Sequence, residues 1–181
     1  MENGEDGFPP YMLFRTQKTF ASVQICLRIF AIGATLTAAW LMLTNKESTK
    51  IGVFVMYARY SYSSAFRFFA FANVVVCAFS VLSLMFLFIL ARYGSSPSHF
   101  FFLFLHDLFM MCLILAGCAA ATAVGFVGKY GNSHSGWMPI CNHFVRFCHR
   151  TTISLMVSYF SLLFLLILTV TSASNSRRIK K

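Results

Sequence analysis

The chain has 181 residues, of which 58% are hydrophobic and 11% charged, against roughly 25% charged in ordinary soluble domains. Its mean hydropathy is +0.70, yet its formal net charge is +10. A soluble domain of this size has no way to bury so much apolar surface, so part of its solvent is lipid; this argues against a nucleic-acid-binding module and a soluble enzyme, and the basic balance points to lipid headgroups.

Residues 1–20 form a polar tail, and its acidic, proline-containing stretch Gly4–Pro10 is expected to be disordered. The first apolar span is Ala21–Leu43, interrupted by Gln24 and Arg28. It is long, carries an internal arginine and is followed by no small-residue cleavage site, so it is expected to stay as a helix rather than leave as a signal peptide. In the first loop, Ile51–Tyr62 is β-branched and aromatic, which suggests a short strand or hairpin. The second span, Phe68–Ala91, holds no charge, and a short turn over Arg92–His99 leads into the third, Phe100–Gly128, interrupted by His106 and Asp107. The second long loop precedes the fourth span, Thr152–Thr171, and a basic tail covers residues 172–181. Each span reaches the roughly 20 residues that cross a bilayer. The expected fold is an all-α membrane protein: a four-transmembrane-helix bundle over residues 21–171, with two short loops on one side.

Four spans put both termini on one face. Whole-segment counts of lysine and arginine tie: Arg15, Lys18, Arg92, Arg177, Arg178, Lys180 and Lys181 face Lys46, Lys50, Arg59, Arg67, Lys129, Arg146 and Arg150. The density of Arg177–Lys181 beside the last span breaks the tie toward cytoplasmic N and C termini. The two longer loops are then extracellular. Tyr60, Tyr62 and Trp137 suit headgroup anchors on that side.

Cys26, Cys77, Cys112 and Cys118 lie inside spans, where cysteine is a small packing residue. Cys141 and Cys148 share the second long loop. In oxidising surroundings they are disulfide candidates, but seven residues of straight helix separate Cα atoms by about 10 Å, beyond the roughly 7 Å a bridge tolerates. Either the segment bends and bridges, or it is one helix and the thiols stay apart. His134, His143 and His149 nearby match no familiar metal-ligand spacing, so neither a metal nor another cofactor is expected.

Two ionisable groups stand inside the apolar spans, Arg28 and Asp107. Each lies about 10 Å in from the start of its span, and both spans run in the same direction. Equal depth and opposite sign point to an intramembrane charge pair that fixes helix register, because each group alone in lipid is costly and a guanidinium clasps a carboxylate with two parallel hydrogen bonds. Two alternatives stand beside it: snorkelling of Arg28 to headgroups over a protonated Asp107, and a proton relay through His106. Span three also carries Gly117, Ala121 and Gly125 at every fourth position. Such a stripe lets helix backbones approach closely, either within the bundle or between copies.

The order of features resembles the plant CASP-like proteins, relatives of the Casparian strip membrane domain proteins and, more distantly, of the MARVEL tetraspan proteins. Leu27-Arg28, Tyr62–Phe66 with Ala72-Asn73, Phe79–Leu84 and Asp107–Met111 carry the resemblance within and around the first three spans. Gly131–His134, Trp137, Ile140-Cys141, Phe144, Phe147-Cys148 and Arg150 carry it in the second loop. The resemblance implies that Arg28 and Asp107 are signature positions and that Cys141 and Cys148 are the paired cysteines of the second extracellular loop, beside the motif residues Trp137, Phe144 and Phe147. It also implies a multi-pass plasma-membrane protein that forms homo- and hetero-oligomers and organises membrane subdomains, with secreted or wall-associated proteins as partners. The first loop, Thr44–Arg67, departs from the Casparian members, so Casparian strip formation is not carried over.

The expected function is therefore a non-enzymatic membrane scaffold whose partners are the lipid bilayer, itself and related family members, with no nucleic acid. The alternative is a small transporter or channel that uses the Arg28–Asp107 pair. It lacks a continuous polar route, since Gln24, Asn73 and scattered hydroxyls are all the spans add.

Overall fold

A computed structural model describes residues 10–51, 54–93 and 97–178. Four long helices make the body: α1 (Pro10–Leu43), α2 (Ser64–Tyr93), α3 (Pro97–Tyr130) and α4 (Val145–Arg178). Between α1 and α2 stands an antiparallel hairpin of β1 (Lys46–Ile51) and β2 (Phe54–Arg59), with Lys46 opposite Arg59 and Glu47 opposite Ala58. Of the expected disordered stretch Gly4–Pro10, all but Pro10 lies outside the described residues, as do the last three residues of the basic tail and part of the turn over Arg92–His99.

The helices overrun the apolar spans. Ser22–Leu43, Ser64–Ile89, Phe101–Tyr130 and Val145–Ser174 are long and apolar enough to cross a membrane. α1 starts at Pro10 rather than Ala21, and α4, expected from Thr152, starts at Val145. Arg146, His149 and Arg150 interrupt the apolar run, whereas the backbone hydrogen bonds of a helix do not depend on side-chain polarity, so α4 continues past the lipid into water. Pro10 and Pro97 open α1 and α3, where a fixed φ and a missing N–H suit the first helical position. Gly131, at φ +72°, ends α3 by donating its N–H to the Val127 carbonyl at 2.8 Å. A side chain is barred there, because a Cβ would fall 2.5 Å from the Trp137 carbonyl oxygen.

Around the bundle each helix packs against its two sequence neighbours, and α4 closes the ring on α1. The pairs α1/α3 and α2/α4 are therefore diagonal. The inward seam of every helix follows a spacing of alternating fours and threes. In α1 it is Gln24, Arg28, Ala31, Thr35, Ala38 and Met42; in α4 it is Phe147, Thr151, Ser154, Ser158, Ser161, Leu165, Leu168 and Ser172, all buried. A repeat of 3.5 residues keeps one seam turned to the partner helices along their whole length. The outward faces are apolar instead, with Phe30, Leu36, Phe71, Phe102, Phe109 and Phe160 among the exposed side chains. This inside-out pattern follows from the solvent. Lipid is as apolar as leucine, so close backbone approach and interhelical hydrogen bonds, not hydrophobic exclusion, hold the helices together.

Candidate functional site

At the level of Arg28 the bundle is crossed by a charge. Arg28 and Asp107 are 1% and 0% exposed. The arginine Nη1 donates to Asp107 Oδ1 at 2.9 Å and Nη2 to Oδ2 at 2.7 Å, a two-pronged clasp between the diagonal helices α1 and α3. Nη1 also donates to Ser83 Oγ of α2 at 2.6 Å, and that hydroxyl donates on to the Ser80 carbonyl at 2.9 Å. His106 Nδ1 lies 3.3 Å from Asp107 Oδ1, and its ring packs 6.0 Å from that of Phe79. One ion pair thus engages three of the four helices. The long arginine side chain reaches across this diagonal, and the parallel course of α1 and α3 brings the two charges to one depth. Breaking such a pair by removing one partner leaves an uncompensated buried charge, at a cost of about 3–5 kcal/mol.

A second diagonal is tied about 16 Å further along α3. There Ser158 of α4 donates to Asn73 Oδ1 of α2 at 3.0 Å, and Cys118 of α3 donates to Ser158 Oγ at 3.3 Å. Asn73 spends its amide on the Phe69 carbonyl at 2.9 Å. Between α1 and α4 runs a ladder: Gln24 Nε2 to Ser172 Oγ at 3.0 Å, Ser154 Oγ to the Ala38 carbonyl at 2.7 Å, and Asn45 Nδ2 to Thr151 Oγ1 and the Phe147 carbonyl, both at 2.9 Å. Much of the polar interior is thus engaged in bonds between helices, while Thr35, Thr169 and the Asn73 amide bond to carbonyls of their own helices and Arg28 Nε and Asn45 Oδ1 have no partner among the described residues. Sequence reasoning missed Ser83, Ser154, Ser158, Ser161 and Ser172. For Ser154, Ser158 and Ser161 the signal was present as small hydroxyls at alternating fours and threes in span four, hidden by counting only apolar residues.

Of the small-residue stripe, Gly117 and Ala121 are buried and Gly125 is partly buried. A Cβ at Gly117 would sit 3.1 Å from Ala72 Cβ and 3.5 Å from Phe69 Cα, so this glycine sets the approach of α2 to α3. A Cβ at Gly125 would meet nothing.

At the loop end, Cys141 and Cys148 form a disulfide with Cα atoms 5.7 Å apart. The chain bends to allow it: Cys141 sits in a 3-10 turn, Ile140–Asn142, and α4 begins only at Val145. Phe144 and Phe147 point into the core, and the Phe147 ring meets Phe66 edge-on at 6.0 Å. Trp137 is 64% exposed, while its backbone pairs with that of Asn132. The hairpin reaches over this region from the other loop. Glu47 Oε2 accepts the Phe147 N–H at 2.7 Å, in the first turn of α4, and Thr49 Oγ1 donates to the His143 carbonyl at 3.0 Å. A carboxylate at a helix N-terminus satisfies an orphan N–H and complements the helix dipole.

The profile of the Casparian strip membrane protein domain matches residues 17–164. The chain is 62% identical to CASP-like protein 1F1 of Ricinus communis and 54% identical to CASP-like protein 1F1 of Populus trichocarpa, each over 99% of both chains. It is 39% identical to CASP-like protein 1F1 of Arabidopsis thaliana, over 90% of this chain and 94% of that one. No solved structure matches it significantly.

Proposed function

The chain belongs to the Casparian strip membrane protein domain family, and from that premise we propose that it is a non-enzymatic scaffold of the plasma membrane. Both termini face the cytoplasm. The hairpin and the disulfide-bonded loop face outward, where oxidising conditions favour the Cys141–Cys148 bond. Copies associate with one another and with related chains, and together they display the two loops to secreted or wall-associated proteins.

One observation carries this proposal: interior polar groups from all four helices are used to tie the helices together. Arg28 holds α2 and α3, Ser158 holds α2 and α3, and the ladder holds α1 to α4. A permeation route needs polar groups available to a passing solute, whereas most of these are bonded to one another or to helix carbonyls, with Arg28 Nε and Asn45 Oδ1 the unpartnered buried side-chain atoms among the described residues. The outer surface supports association between copies, since Gly33, Gly125 and Gly128 leave open space above their backbones. The alternative, a small transporter, draws on one feature, the buried Arg28 Nε that has no hydrogen-bond partner among the described residues. Crosslinking in native plasma membrane, with the captured chains identified, tests the scaffold. Capture of further copies and loop-side partners is expected. Solute flux through the purified protein in liposomes would instead select the transporter.

A further inference from the structure

The hairpin has two faces with opposite tasks. Side chains alternate along a strand, so Glu47 and Thr49, which bond to Phe147 and His143, share the face turned to α4. Lys46, Lys50 and Arg59 take the other face and are exposed. Lys46 stands directly opposite Arg59 across the strands, an arrangement of like charges that destabilises a hairpin unless something compensates it. No acid of the described residues does so. They include two, Glu47 and Asp107, and both are engaged elsewhere.

A cavity of about 420 Å³ lies at this charge pair, lined by Leu43, Asn45, Lys46, Arg59, Tyr60 and Ser61. Leu43, the last residue of α1, lines it and is 44% exposed, and Trp40, one turn earlier on α1, is 68% exposed. The cavity therefore joins two cations to the upper edge of a lipid-facing surface.

We propose that Lys46 and Arg59 form a binding site for the phosphate of a phospholipid headgroup in the hairpin-side leaflet. The lipid's acyl chains lie along the exposed end of α1, and its phosphate bridges the paired cations. Tyr60 and Ser61 line the same depression. The site is independent of the scaffold reading and of which way round the chain sits, because it uses only the hairpin and the membrane beside it.

Native mass spectrometry of the full chain with phosphatidylglycerol tests this. Wild type is expected to retain the lipid, Lys46→Gln and Arg59→Gln to weaken retention roughly 5-fold each, and Lys129→Gln, on the same side but outside the cavity, to leave it unchanged. Unaltered retention in the Lys46→Gln/Arg59→Gln double variant overturns the site. Displacement of the lipid by soluble glycerol phosphate at equal concentration overturns the lipid as its ligand and leaves a free-anion site. Intact thermal melting of the double variant in lipid-free detergent is expected, since both side chains are exposed; a collapsed melt with retention lost equally in Lys129→Gln also overturns the proposal.

Discussion

Arg28 reaches across the bundle from α1 to Asp107 on the helix diagonally opposite, and both guanidinium prongs are met by carboxylate oxygens. Neighbouring helices in a ring are held by their shared seams, but diagonal helices are not. A charge pair on a diagonal therefore constrains the whole cross-section at once. Its net contribution to stability is small, because desolvation offsets most of the attraction; its effect is to reject other registers, in which either charge would face lipid.

Replacing one partner is expected to be far worse than replacing both. Arg28→Leu or Asp107→Leu alone should destabilise by about 3–5 kcal/mol, while the double Leu variant should regain most of that loss. Thermal melts in detergent read the difference. The charge swap, Arg28→Asp with Asp107→Arg, should be better tolerated than either half, unless Ser83 fails to serve the relocated arginine.

Gly117→Leu should weaken the contact between α2 and α3 by about 1–3 kcal/mol, because Ala72 and the Phe69 backbone leave no room. Gly125→Leu should leave the melt of the isolated bundle within about 0.5 kcal/mol of wild type. If it nevertheless reduces self-association, the open part of the stripe lies between copies.

The pattern of apolar runs already contained the four helices, and the matched depth of Arg28 and Asp107 contained their meeting. The rest was hidden for identifiable reasons. Hydropathy reports what faces lipid, so it sees Phe30 and Phe160 and passes over Ser154, Ser158 and Ser161, which face the other helices. The bend that lets Cys141 reach Cys148 was not legible, because a stretch of partly helical periodicity does not reveal a 3-10 turn followed by a new helix start. Nor was Glu47 at the start of α4, since the chain distance between hairpin and helix is long and nothing local announces it.

Glu47→Ala should loosen the hairpin from α4. Loss of a carboxylate cap costs about 0.5–2 kcal/mol. Hydrogen exchange of the Phe147 amide should accelerate by roughly 2- to 30-fold at constant pH, the range those energies span. An unchanged amide would mean that water replaces the carboxylate without loss.

Removing the Cys141–Cys148 bond opens a short loop, for which chain-entropy arguments give about 2 kcal/mol of lost stability. Cys141→Ser and Cys148→Ser should each lower the melting temperature under non-reducing conditions. Added reductant should bring wild type to the same value and leave the variants where they are. Phe144 and Phe147, both buried, lie within the bonded loop and its first helical turn, so reduction should also raise exchange at the start of α4.

Counting copies in single fluorescent spots tests most directly whether the closed bundle acts by assembling. The full chain, labelled at its C terminus and expressed at low density in a plant plasma membrane, should bleach in several steps within slowly diffusing spots. Single-step bleaching of freely diffusing spots, at expression levels where the loops are correctly oxidised, would contradict it.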